Sequence, residues 1–176
     1  MVNRVKNPSA DKPVAGPTGT TLPKVWVCGS SLQSAQVAAG LGVCYSFHAY
    51  IGRHWGDGVS GPEIIRTYKA SFVPSQLQSN PECNVAVLGA CSTSDPEARR
   101  NWESFFGIGN AFQFLPGAAR FAIPTPCFCG DASRCKDQLL EIQDSHKIAE
   151  LVVQCVGTDV NSIIQSYRIL AESVHC

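Results

Sequence analysis

Apolar residues along this chain fall by turns into short continuous runs and into helical spacings. Lys24-Val-Trp-Val-Cys28 is a β-branched and aromatic run that stops at Gly29-Ser-Ser31, as a buried strand stops at a turn. Leu32, Ala35 and Ala39 then repeat at helical spacing and predict a helix to Leu41, which Gly42 ends. Val43-Cys-Tyr-Ser-Phe47 predicts a second strand, and Gly61-Pro62 precedes a helical stretch through Ile64, Ile65, Tyr68 and Phe72. A third strand, Asn84–Cys91, leads to Ser94-Asp-Pro-Glu97, where Asp and Pro suit a helix start and Glu complements its positive end. Such alternation implies parallel strands in an α/β fold, and by itself permits an open sheet.

Beyond Arg100 the pattern loosens. The stretch at about 103–135 mixes aromatics, Gly and Pro without a clear period and predicts an irregular insertion with short helical pieces. From Arg134 to Val153 the apolar positions Leu139, Leu140, Ile142, Ile148, Leu151 and Val152 predict one or two helices. Val156-Gly-Thr-Asp159 introduces a last helix, Ser162–Glu172, with Ile163, Tyr167 and Leu170 about one turn apart, and no strand is expected after it. Residues 1–23 are polar and rich in Pro, Gly, Thr and Lys. They predict a flexible leader without the apolar run of a signal peptide or membrane anchor, hence a cytoplasmic protein.

A chain of 176 residues with 44% hydrophobic and 16% charged residues has the composition of an ordinary globular domain, so disorder is not the default. Its 14 basic and 14 acidic residues cancel, which removes the field that draws in nucleic acid or an anionic membrane. Nine cysteines are an odd number, and Cys28, Cys44, Cys91 and Cys155 lie in or beside apolar runs, so reduced core thiols are expected rather than a disulfide framework. No GxGxxG fingerprint, GxxxxGK loop or HExxH motif occurs.

The turn after the first strand carries the clearest candidate chemistry. Gly29 lets the backbone approach closely, Ser30 and Ser31 offer hydroxyl and amide donors, and Ser34 follows one turn on, all at the positive end of a helix dipole. Such a turn suits a phosphate; the alternative is that Ser31 only caps the helix. Val25–Gly42 with Tyr45-Ser-Phe47 resembles the strand, Gly-Ser-Ser turn and Ala-Ala helix of the bacterial-luciferase-like, flavin-dependent monooxygenases. Tyr68-Lys-Ala-Ser-Phe-Val-Pro-Ser75 resembles a helix exit of that family, and Val85–Cys91 with Ser94–Arg100 its next strand and acidic helix start. Val156-Gly-Thr158 resembles its late Val-Gly-Thr-Pro entry, with Asp159 where Pro is usual.

The resemblance implies part of a TIM-type (β/α) barrel that binds FMN at the C-terminal ends of its strands, with Ser30, Ser31 and Ser34 on the phosphate. It implies a monooxygenase using O₂ and reduced flavin from a separate flavin reductase on a small organic substrate, an aldehyde or a secondary metabolite. The family's earlier strands, its phosphate-pairing basic residue and its closing strand have no counterpart here. The resemblance therefore also admits a non-catalytic or partner-dependent flavin-binding subunit, completed by a homo-oligomer or a complementing barrel chain, or a fragmentary gene product.

Other residues carry candidate chemistry beside plainer roles. His48 and Tyr50 follow the second strand, where a barrel presents its active face, and are the candidate catalytic pair; a loop histidine is the alternative. His54, Trp55 and Asp57 stand in a Gly-rich loop suited to shielding a site or to anchoring a surface loop. Cys127, Cys129 and Cys135 with His146 form the one cluster with metal-ligand chemistry. Their spacing departs from a zinc knuckle, so no metal is expected and exposed reduced thiols are the simpler reading. Arg99 and Arg100, near Glu103, suit a solvated helix face better than a phosphate.

Overall fold

The computed structural model describes residues 23–51, 58–108 and 126–174. Its strands are β1 (Trp26–Gly29), β2 (Cys44–His48), β3 (Cys83–Cys91), β4 (Phe128–Gly130) and β5 (Leu151–Cys155). Its helices are α1 (Leu32–Leu41), α2 (Gly61–Ala70), α3 (Asp95–Ile108), α4 (Ala132–His146) and α5 (Val160–Val174). Every strand pair is parallel and a helix follows each strand, which is the α/β alternation that the sequence predicts.

The backbone of β3 organises the sheet. Glu82 O accepts from Tyr45 N at 3.0 Å, and Leu88 O accepts from Cys127 N at 2.9 Å, so even-numbered residues face β2 and then β4 along one edge. On the other edge Val85 N donates to Glu150 O at 3.3 Å and Gly89 O accepts from Val156 N at 2.9 Å, both toward β5. The order across the sheet is therefore β1-β2-β3-β5, with β4 seated on β3 beyond the end of β2.

Strand alternation divides the side chains between two faces. Tyr45, Phe47, Val85, Val87, Cys91, Phe128 and Cys155 pack in one core with Ala35, Ala38 and Ala39 of α1, Ile64, Ile65 and Tyr68 of α2, Leu139 and Ile142 of α4, and Leu170 of α5. The other face carries Cys28, Ser46 and Asn84 at one level and His48, Ala86 and Val152 at the next. At its C-terminal end Leu88 and Ala90 pack with Ala98 and Trp102 of α3 and with Val156. Helix α3 thus reaches over the C-terminal end of the second face. Its start is tied down there: Asp95 accepts from Asp131 N at 2.9 Å and pairs with Arg134 at 2.7 Å.

Three sequence expectations are corrected. Leu151–Cys155 is a strand, not a continuation of helix; α4 ends at Lys147, which takes the left-handed conformation (φ 51°) that usually marks a glycine. The stretch read as an irregular insertion contains the end of α3, β4 and the start of α4, while residues 109–125 and the leader residues 1–22 lie outside the described ones. All eight cysteines among the described residues are free, but Cys28 is exposed on the second face whereas Cys127 and Cys135, expected as exposed, are buried. No described helix is long and apolar enough to cross a membrane.

Tyr68 fastens α2 to the base of the sheet. Its hydroxyl lies 2.9 Å from Val43 O and 3.1 Å from Glu82 O and accepts from Glu82 N at 3.2 Å, and burial pushes its pKa up to about 12. Replacing it by Phe leaves these buried backbone groups short of a partner, so Tyr68→Phe should lose about 1–3 kcal/mol in urea unfolding; an unchanged midpoint would contradict this role.

Candidate phosphate turn and its surroundings

Three strands hand over to helices through a glycine: Gly29 before α1, Gly130 before α4 and Gly157 before α5. The first and third share a frame. A Cβ on Gly29 would overlap Ser34 Oγ, and a Cβ on Gly157 would overlap Ser162 Oγ, so in both turns the helix's first-turn serine packs against the glycine. In both, that serine closes a reciprocal cap. Ser31 N donates to Ser34 Oγ at 3.2 Å while Ser34 N donates to Ser31 Oγ at 3.3 Å. Likewise Asp159 N donates to Ser162 Oγ at 3.1 Å while Ser162 N donates to the Asp159 carboxylate at 2.9 Å.

The caps differ in charge. Asp131 caps α4 by accepting from Arg134 N, and Asp159 caps α5, its carboxyl held below the usual range by the Ser162 and Asn161 amides. Helix α2 has Glu63 in its first turn, and α3 has Asp95 and Glu97. Among the described residues α1 is the helix with neither a carboxylate cap nor an acid in its first turn. The other positive helix ends are met by the chain's own anions; that of α1 meets only hydroxyls.

Within this turn the three serines divide their work. Ser34 Oγ donates to Ser31 O at 2.8 Å and lies 3.0 Å from the Tyr45 hydroxyl, so it is engaged in the cap and against the sheet. Ser31 is the N-cap residue, as the alternative sequence reading has it. Ser30 is half-buried, and one step beyond the last β1–β2 pair, Gly29 with Phe47, brings it level with His48. The turn therefore opens beside the second face at the C-terminal end of the sheet.

His48 and Tyr50 stand together there, with the Tyr50 hydroxyl 3.3 Å from His48 Nδ1 and the rings stacked at 5.5 Å. Burial pulls the His48 pKa down and pushes that of Tyr50 up, which favours the neutral form of each. Tyr50 also packs against the cluster of Leu88, Ala90 and Trp102, which brings the α3 aromatics to the same end of the sheet. The structure thus joins the serine turn and the histidine–tyrosine pair in one region.

The remaining candidates separate. Cys127 and Cys129 flank Phe128 in β4, Cys135 Sγ points at the carbonyls of Gly130 and Ala90, and His146 lies at the far end of α4 against Phe47. No metal-binding group of three ligands forms among the described residues. Arg99 and Arg100 are exposed on α3, and His54, Trp55 and Asp57 lie outside the described residues. A cavity of about 260 Å³ lined by Phe47, Ser60, Gly61 and His146 opens on the helix-covered face. Sequence reasoning missed the acid-free character of the α1 terminus, although the residues at all five helix starts were in view.

No family model matches the chain. It is 26% identical over 186 residues to the uncharacterized protein YwcH of Bacillus subtilis (strain 168), covering 90% of this chain and 52% of that protein. It is 27% identical over 185 residues to the uncharacterized protein YceB of the same organism, covering 92% and 54%. The chain spans about half the length of the curated relatives it matches. Among solved structures, apo-MsnO8 superposes with a TM-score of 0.75 at 26% identity, covering 99% of this chain and 57% of that one. The monooxygenase RslO1 from Streptomyces bottropensis shares the fold at a TM-score of 0.58 and 14% identity, covering 87% and 47%.

Two stability measurements check this geometry. Gly29→Ala forces a methyl group onto Ser34 and should cost about 1–3 kcal/mol in denaturant unfolding, with no loss refuting the close approach. Because burial lowers the His48 pKa from 6.5, its contribution to stability is complete above that pH and is lost as pH falls through the folded value. His48→Gln should therefore flatten the decline in unfolding free energy on acidification from about pH 7 to 5; an identical decline would show that His48 titrates as it does unfolded.

Proposed function

We propose that this chain forms the flavin-phosphate-binding part of an FMN-dependent monooxygenase of the luciferase-like kind, acting with O₂ on a small organic substrate such as an aldehyde or a secondary metabolite. The observation that carries the reading is the α1 terminus, where a parallel strand ends in Gly29-Ser-Ser31 and no carboxylate competes with an incoming phosphate. The family resemblance and the fold shared with apo-MsnO8 and with RslO1, itself named a monooxygenase, support it.

The donor set fits FMN at its phosphate end. Hydroxyls of Ser30 and Ser31 and amides of the first α1 turn are neutral groups that a phosphate can meet; the Ser31 hydroxyl accepts from Ser34 N and donates to Ser34 Oγ at 3.3 Å, a bond that it would exchange for one to the phosphate. When bound, reduced flavin supplies the electrons with which O₂ gives one oxygen to the substrate and the other to water. This chain's residues orient and shield: Trp102, Leu88 and Ala90 exclude water at the strand ends. The Tyr50 hydroxyl, backed by His48, holds a proton on the same side as Ser30. A separate flavin reductase is the expected source of the reduced cofactor.

The resemblance also admits a partner-dependent flavin-binding subunit built on the same turn. Flavin fluorescence titrations address the common element. Ser31→Asp keeps a competent N-cap, as at Asp131 and Asp159, but places an anion where the phosphate would sit. FMN affinity should fall more than about tenfold without a lower melting temperature, while riboflavin, lacking the phosphate, should be little affected. Equal FMN binding by wild type and Ser31→Asp would refute the phosphate turn; oxygen uptake with NADH and a reductase then separates enzyme from subunit.

A further inference from the structure

The Ser34 hydroxyl of the α1 turn is offered one hydrogen bond more than it can make. Its proton is committed to Ser31 O, a carbonyl that only accepts, at 2.8 Å. One of its two lone pairs is committed to Ser31 N, an amide that only donates, at 3.2 Å. A single lone pair is left, and two hydroxyls reach it, Ser31 Oγ at 3.3 Å and Tyr45 Oη at 3.0 Å. Because Ser34 has no second proton, Tyr45 is the donor in its contact, and the two hydroxyls compete for the same lone pair.

The competitors differ in freedom. Tyr45 is fully buried in β2 and packs in the main core, its ring 5.5 Å from that of Tyr68, so its hydroxyl is fixed beside Ser34. Ser31 is half-buried in the turn itself, and its hydroxyl turns about a single bond. Among the described residues the matching turn at Gly157 has no such phenol. There Ser162 Oγ keeps the same commitments to Asp159 O and Asp159 N, but its further contact is the exposed Thr158 hydroxyl at 3.4 Å. Its cap is a carboxylate, which has no proton to redirect. Resting on the phosphate-turn reading, we propose that Tyr45 is a positioning residue of that turn: its hydroxyl takes the lone pair of Ser34 that the Ser31 hydroxyl vacates, so that Ser31 donates to the phosphate while the cap stays satisfied.

Flavin fluorescence titration of the full chain compares wild type, Tyr45→Phe, Ser31→Ala and the double variant, each with FMN and with riboflavin. Tyr45→Phe should weaken FMN binding about five- to tenfold, the net effect of one hydrogen bond, and leave riboflavin binding unchanged. In the Ser31→Ala background the same change should have no further effect, because Tyr45 acts only through Ser31. An equal loss for riboflavin overturns the proposal, since the phenol then supports the fold rather than the turn. Additive losses overturn it as well, because Tyr45 then acts without Ser31. The tyrosine Cζ carbon shifts of wild type read the same exchange without a substitution: FMN saturation should move the Tyr45 signal, and a stationary signal overturns the proposal. Equal FMN affinity of wild type and Tyr45→Phe overturns this inference alone and leaves the phosphate turn standing, whereas absence of FMN binding by wild type overturns both.

Discussion

Strand β3 hydrogen-bonds along both edges, and the rest of the structure takes its position from that ladder. Its even-numbered residues serve β2 and then β4, and its odd-numbered residues serve β5, so three strands are indexed to one backbone. The indexing fixes which side chains face the helices. Val85 and Val87 enter the core with Tyr45 and Phe47, while Ser46 and Asn84 are committed to the opposite face together with Cys28 and His48. A one-residue slip in any of these pairings would exchange the two sets. The buried Asn84 Oδ1, which lacks a hydrogen-bond partner, is the cost of placing an amide on that second face.

The same ladder explains why the serine turn and the histidine–tyrosine pair meet. Parallel strands end at one side of a sheet, so the turn after β1 and the residues after β2 arrive together without any contact being specified between them. Helix α3 completes the neighbourhood because the ion pair of Asp95 with Arg134 and the bond from Asp131 N hold its start beside β4. The ion pair is exposed and adds little stability; its effect is on direction.

Much of this was legible in the sequence. The β1 to α1 unit carries a β-branched run, a Gly-Ser-Ser turn and alanines at helical spacing, and α1 has the predicted ends, Leu32 and Leu41. The second half was harder for identifiable reasons. Lys147 closes α4 in a left-handed conformation without the glycine that would have marked the stop, so the apolar Leu151 and Val152 read on as helix. Strand β4 has three residues, too few for any period to register. On α5 the inward positions include Ser166, whose hydroxyl donates to Cys91 O, while Tyr167 points to the sheet edge. A polar residue inside and an aromatic outside reverse the usual pattern, and only the tertiary partners justify them.

The paired frames at Gly29 and Gly157 bear on how such a fold diversifies. Each consists of a glycine, a cap residue two places on and a serine three further, and each closes by the same reciprocal bonds. What separates them is the cap, a hydroxyl in one and a carboxylate in the other. One codon can therefore exchange a helix terminus met by its own chain's carboxylate for one met by hydroxyls alone, leaving the scaffold's joints as they were. In each strand-to-helix junction of this kind the charge of the helix end is thus set at the cap position, independently of the strand that displays it.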